Sequence, residues 1–362
     1  MNKKQTCKIL IFLALVLFLL VHVTYAIRTN GDVKDRFVGF YAEKNNTIDA
    51  VLIGSSPVYP CFATPKIYGD MGIAMYPLSS NMQRPVATKY LVEEALKSQS
   101  PDLFIFDMRM WTAADEDLLG NMAHTREVTD NMKYSVNRIK TINAMVEDKE
   151  ERLTYYFDIF KYHSNWKTLA LWSQLRTAFY AYPDDLKGFV PLSTVGPVER
   201  TDFYLSKERI PMPAEQEAYL RDLLDYLKGK NLKALFVIAP YNVREDEQEK
   251  INYLADIIEG YGYDFLDMNS YADEMGLDFA RDFRDYGTHT NAVGADKVTE
   301  WFENYLSEHF VATGVLTKDH RNDAKYRSWD KAYSLYNEAL EQAKEEIDYN
   351  IAHEIWYEVV DD

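Results

Sequence analysis

"IDAVLIGSSPVYP", residues 48–60, is the stretch on which the fold turns. Ala50 to Ile53 is an unbroken apolar run. A strand buried on both faces reads this way, and such strands belong to parallel sheets with helices on either side. The run stops on Gly54-Ser55-Ser56, and Pro57 follows at once. Two readings of that stop compete. In one, Ser56 is the N-cap of a helix whose first position is Pro57, where the missing N–H is no loss. In the other, a serine is a nucleophile held at a strand tip, which requires a base and a carboxylate supplied from elsewhere in the chain.

Outward from this stretch, "GIAMYPLSS" (72–80) reads as a second short strand, 84–100 as a helix and "PDLFIFDMRMW" (101–111) as a third strand. A β-β-α-β opening suits an α/β sheet. Residues 112–210 break the rhythm, being long, aromatic and helical in pattern until Pro183, Gly188, Pro191 and Pro197 mark a loop. They predict a helical insertion able to lid a site. The alternation returns with a helix over 214–230, a strand over 232–241, a helix over 246–260, a strand over 263–268, and a loop leading into a helix over 282–310. Residues 318–362 read as a charged helical tail, amphipathic near 325–347. The predicted class is α/β: a three-layer α/β/α sandwich around a mostly parallel sheet, with residues 29–317 as the main domain.

The first 28 residues stand apart. Lys3, Lys4 and Lys8 precede an apolar run from Ile9 to about Ile27, close to the ~20 residues that cross a bilayer. Positive charge ahead of the run predicts an inside N-terminus and an exported body, anchored in the cell membrane by a single pass. The alternative is a signal peptide cut after Thr24-Tyr25-Ala26, which would release a secreted protein. The polar residues 28–48 then read as a juxtamembrane stem.

Composition narrows the function. The 362 residues are 47% hydrophobic and 27% charged, which fits one large globular domain with insertions. A formal charge of −17 argues against nucleic acid and against charge-driven docking on anionic lipid. Cys7 and Cys61 are the only cysteines, so neither a disulfide nor a structural zinc site is predicted. No calcium loop, dinucleotide fingerprint or P-loop occurs. No metal or organic cofactor is implied.

Among the seven histidines, His289 differs in its surroundings, "RDYGTHTNAVGA". Asp285 lies four residues before it on a Gly-containing loop, and Asn291 is a natural N-cap for the helix that follows. In a parallel α/β sheet that junction lies on the carboxyl edge, as does the Ser55-Ser56 tip. Serine, imidazole and carboxylate would therefore meet across some 230 residues. Asp107 and Arg109 read either as a buried ion pair or as site lining. His163 reads as a core or capping residue, the alternative being reach to substrate over the lid. The Tyr/Trp density of 154–182 reads as helix packing, although exposed rings there would suit a sugar.

Gly54-Ser55-Ser56 resembles the first block of the SGNH/GDSL hydrolases, whose nucleophilic serine ends a Gly-Asp-Ser triplet after strand one. "DYGTHTNAVGA" resembles their last block, Asp-x-x-His-x-Asn. The layout over residues 48–310 is similar to the membrane-anchored branch that includes the D-alanyl transfer and alginate O-acetylation proteins. The resemblance implies Ser56 as nucleophile, with Ser55 in the place usually held by Asp. It implies His289 as general base and Asp285 as its orienting acid, with Asp282 the other candidate because the Asp–His spacing is four instead of three. The family's Gly-x-Asn-Asp block is replaced by "FDMRMW", which leaves Asn81 and Arg109 as candidate oxyanion donors. The implied activity is an extracytoplasmic esterase or O-acyltransferase on cell-envelope or exopolysaccharide acyl esters. The implied partners are an acylated glycan or envelope polymer, the membrane and an envelope protein complex. The rival is a catalytically inactive scaffold of the same fold.

Overall fold

The structure is a computed structural model that describes residues 2–29, 31–119, 122–168 and 171–358. Five strands form one sheet: β1 (Ala50–Ile53), β2 (Met75–Pro77), β3 (Leu103–Asp107), β4 (Ala234–Ile238) and β5 (Asp264–Asp267). Their order is β2-β1-β3-β4-β5, and every neighbouring pair is parallel. Ile53 stands opposite Phe106 and Ile238 opposite Asp267, so the carboxyl ends are aligned in a row.

The strands are apolar throughout because both faces are covered. Val51, Ile53, Phe104, Phe106, Phe236 and Ile238 point to one side, and Ala50, Leu52, Leu103, Ile105, Leu235 and Val237 to the other. Before the third strand the chain forms α1 (Lys3–Ile27), α2 (Asp32–Ala42), α3 (Val58–Cys61), α4 (Thr64–Met71) and α5 (Thr88–Ala95). The insertion supplies α6 (Asp115–Leu119), α7 (Met122–Thr129), α8 (Val136–Met145), α9 (Arg152–Tyr156), α10 (Ile159–Tyr162) and α11 (Leu171–Leu175). The body is completed by α12 (Ala214–Lys230), α13 (Glu245–Gly260), α14 (Ala292–Leu306) and α15 (Arg327–Ala352). The first sheet face packs against α2, α5, α12 and α13, and the second against α3, α4 and α14.

Two segments depart from their sequence reading. Residues 32–42 are not a stem. Val33, Phe37 and Phe40, spaced along one helix face, enter the main core, where each large side chain contributes roughly 1.5–3 kcal/mol. The segment looked polar because its charges are buried with it. Lys34 donates from Nζ to the Arg28 carbonyl at 3.0 Å, and the Arg36 guanidinium lies 3.8 Å from the Tyr59 ring centroid. The insertion agrees with its reading: it is helical to Leu175, and residues 183–202 run without regular structure where Pro183, Gly188, Pro191 and Pro197 mark a loop. The C-terminal segment is part of the body: Trp329 joins the main core, and Tyr336, Leu340 and Ala343 pack on Ala292 and Ala295 of α14.

Helix α1 is capped at its start by Asn2, which accepts from the Gln5 N–H at 2.9 Å. It is long and apolar enough to cross a membrane. Most of it is exposed, whereas Thr24 to Ile27 are buried in the body. There Tyr25 stacks on Tyr180 and Tyr134, and Arg28 pairs with Asp158 at 2.8 Å.

Candidate active site

The order β2-β1-β3-β4-β5 reverses direction between β1 and β3, and a crevice forms outside the carboxyl ends at such a switch point. Ser56 sits there, three residues beyond β1. The strand tips approach closely: a Cβ on Gly54 would lie 2.6 Å from the Asp107 Cβ and 2.7 Å from Val58 Cγ2. Only glycine fits, and that lets the Ser56 loop leave the sheet directly over the end of β3.

His289 reaches the same crevice from a hairpin. Phe283 pairs antiparallel with Thr290, and the Arg284 N–H donates to the His289 carbonyl at 2.9 Å. The chain reverses through Tyr286 and Gly287, both left-handed with φ of 58° and 85°. Asp285 locks this turn with both carboxylate oxygens. Oδ1 accepts from the His289 backbone N–H at 2.7 Å, and Oδ2 lies 2.6 Å from the ring Nδ1. The opposite ring nitrogen, Nε2, lies 2.8 Å from Ser56 Oγ. With the carboxylate accepting from Nδ1–H, Nε2 is left to accept the serine hydroxyl proton. Side-chain exposure of 18% for His289 and 14% for Asp285 leaves the pair shielded yet reachable. Asn291 caps α14 as the sequence predicts, accepting from the Val293 and Gly294 N–H groups.

The second acid candidate is excluded by its contacts. Asp282 is fully buried, salt-bridged to Lys297 Nζ at 2.5 Å, and accepts from the Asp278 N–H. The four-residue spacing is the form this hairpin needs, because two left-handed residues bring position 289 back over position 285.

The capping reading of Ser56 fails too. α3 begins at Val58 with Pro57 as its cap residue, and Ser56 turns its hydroxyl to the imidazole. Ser55 is buried and accepts from the Gln83 N–H at 3.2 Å, so it braces the loop after β2. Asn81 is held in a chain: Tyr59 Oη donates to its Oδ1 at 3.0 Å, and its own N–H and Nδ2 donate to Glu127. Arg109 makes no salt bridge with Asp107. It stacks 4.0 Å over Tyr241 and donates to the Thr288 carbonyl at 2.7 Å, next to His289 in sequence. Both oxyanion candidates therefore hold neighbouring elements in place. Asp107 faces the N–H groups of Ala239, Arg109 and Ser55, and burial pushes its carboxyl up to about 6. His163 bonds only the Phe160 carbonyl of its own turn.

Sequence reasoning missed the irregular strap over 189–201. It donates from the Val190 N–H to the Tyr59 carbonyl and from the Gly196 N–H to Phe283, and it accepts from the Tyr286 N–H. Its prolines mark a loop but carry no sign of what the loop touches. A cavity of about 470 Å³ lies at the end of α1, walled by Arg28, Lys34, Arg126, Tyr162, Asn81 and Tyr59; Ser56, His289 and Asp285 do not line it. Tyr59 is three residues beyond Ser56.

No family model matches the chain, and no curated protein matches it either.

Proposed function

We propose that the protein is a membrane-tethered serine esterase or O-acyltransferase of the SGNH type, acting on acyl esters of envelope polymers or exopolysaccharides. The observation that carries this reading is the relay Ser56 Oγ–His289–Asp285, with links of 2.8 and 2.6 Å at a switch point of a parallel sheet. Ser56 Oγ attacks an ester or thioester carbonyl while His289 Nε2 takes the hydroxyl proton. The tetrahedral oxyanion needs donors, and the Ser56 N–H is available by position. Collapse breaks the bond to the leaving group, which leaves with the proton from His289. Water or a sugar hydroxyl then resolves the acyl-serine, with His289 again moving the proton. The 470 Å³ cavity is of ligand size and shares Tyr59, three residues beyond Ser56, as part of its wall.

Retention of α1 as an anchor is supported by its packing, because cleavage after Ala26 would strip Tyr25 from its stack with Tyr134 and Tyr180. The test of the chemistry is a fluorophosphonate probe on the full-length chain. Labelling is expected on Ser56, abolished by Ser56→Ala and strongly slowed by His289→Ala. A folded parent that stays unlabelled would sink the catalytic reading and leave an inactive scaffold. Turnover of an aryl acetate with and without a sugar acceptor then separates hydrolysis from transfer.

A further inference from the structure

Where α1 enters the body, the insertion turns aromatic rings outward. Phe157, Phe160, Trp166, Trp172 and Phe179 are each more than half exposed, Trp172 at 86%. Tyr162 and Tyr180 of the same stretch turn inward, with hydroxyls bonded to Asp130 and Asn131. These exposed rings belong to or adjoin α10, the 3-10 turn His163–Thr168 and α11, all of which touch α1. Phe179 packs against His22 with ring centroids 4.8 Å apart, and His22 Nδ1 lies 2.7 Å from the Ala178 carbonyl. Asn165 donates to the Ile27 carbonyl at 2.9 Å. The contacts therefore fix the rings beside residues 22–27 of the helix.

That level is where a bilayer would end. A hydrocarbon core of ~30 Å takes about 20 helical residues, which counted from Lys8 reaches the Ile27–Arg28 region. Trp and Phe concentrate at such boundaries. Charge points the same way. Over residues 157–182 the basic residues are Lys161, Lys167 and Arg176, and the one acid, Asp158, is buried against Arg28. In a chain of net charge −17 this local reversal fits phosphate headgroups.

We propose that residues 157–168 and 171–182 form a collar seated in the headgroup region of the leaflet through which α1 emerges. Phe160, Trp166, Trp172 and Phe179 enter the acyl boundary, and Lys161 and Lys167 face anionic phosphates, while Arg176 is paired with Asp35 at 4.0 Å. This rests on α1 being a retained anchor. A single helix would let the body swivel, whereas helix and collar together fix the orientation of the Ser56 crevice over the membrane. The sequence's overall acidity hid this basic face.

The test uses the full-length chain in phosphatidylglycerol/phosphatidylcholine vesicles whose acyl chains carry bromines near the glycerol end. These quench tryptophan at the boundary, and quenching is expected to fall at least about twofold in Trp166→Phe/Trp172→Phe. Equal quenching in parent and double variant would overturn the collar and leave those rings to a second copy or a protein partner. Phe18→Trp, read with bromines deep in the chains, reports the anchor by itself. Absence of that deep signal overturns anchor and collar together; its presence without boundary quenching overturns the collar alone.

Discussion

Asp285 and Asp282 are three positions apart in one loop and have opposite surroundings. The first engages His289 twice, while the second is fully buried against Lys297. Asp285→Asn should lower probe labelling of Ser56 by about 10³–10⁴-fold with little change in unfolding midpoint, because an amide no longer fixes the ring tautomer. Asp282→Asn should do the reverse, lowering stability in urea by about 1–3 kcal/mol while folded molecules label at the parental rate. Labelling that survives Asp285→Asn would refute the orienting role. Asp107 adds a pH dependence of the less common sign. Burial raises its folded-state pKa from 3.8 to about 6, so the fold prefers the neutral acid. Its ionisation penalises folding fully above about pH 6, and the penalty disappears as pH falls towards about 4. The full effect is on the order of 3 kcal/mol. Asp107→Asn should therefore gain stability relative to the parent at neutral pH, with the gap closing near pH 4 in urea titrations. A gap independent of pH would show that the carboxyl is not its source.

At the scale of the element, the crevice depends on how two parallel strands end. β1 stops one residue short of the level at which β3 closes on Asp107, and Gly54 fills the gap with backbone alone. Gly54→Ala would press a methyl into the Asp107 side chain, an overpacking that typically costs about 1–3 kcal/mol. The displaced tip should also carry Ser56 away from His289, and a shift near 1 Å slows chemistry by about 10²-fold. Loss of labelling with a retained circular-dichroism spectrum is the expected result; parental labelling would mean the strand ends separate without moving the serine. The hairpin over 283–290 is the other half of the site, held from behind by Arg109 on the Thr288 carbonyl and by the Asn242 N–H on the Gly287 carbonyl.

For the whole molecule, the end of α1 and the helix α15 are built into the body. α1 terminates among Tyr134, Tyr180 and Asp158, and α15 lies across α14 with Trp329 in the main core. Chain extracted from membranes should therefore retain the peptides upstream of Ala26 by mass spectrometry. A mature chain beginning at Ile27 would contradict the anchor. The same packing explains why 28–48 reads as a stem and why the docking of 318–362 is missed. Buried charges such as Lys34 and Arg36 masked the apolar stripe of the first, whereas the amphipathic pattern of the second was legible and only its packing partners were not.

The sequence alone determined the five strands and the edge on which Ser56 and His289 gather. Apolar runs bounded by Gly, Ser and Pro define strands because burial on both faces leaves no room for polar side chains. Strand-then-helix order puts Ser56 and His289 on one rim because parallel strands all end on that side. Tertiary structure alone decided the partners. Asp285 was selected over Asp282 by two left-handed residues and by a lysine on the next helix. Asn81 and Arg109 became braces because Glu127 and the Thr288 carbonyl stand within their reach. Local pattern fixes which face a residue shows, since burial repeats along the chain. It does not encode which of several polar groups arrives opposite, since that depends on segments far away in sequence.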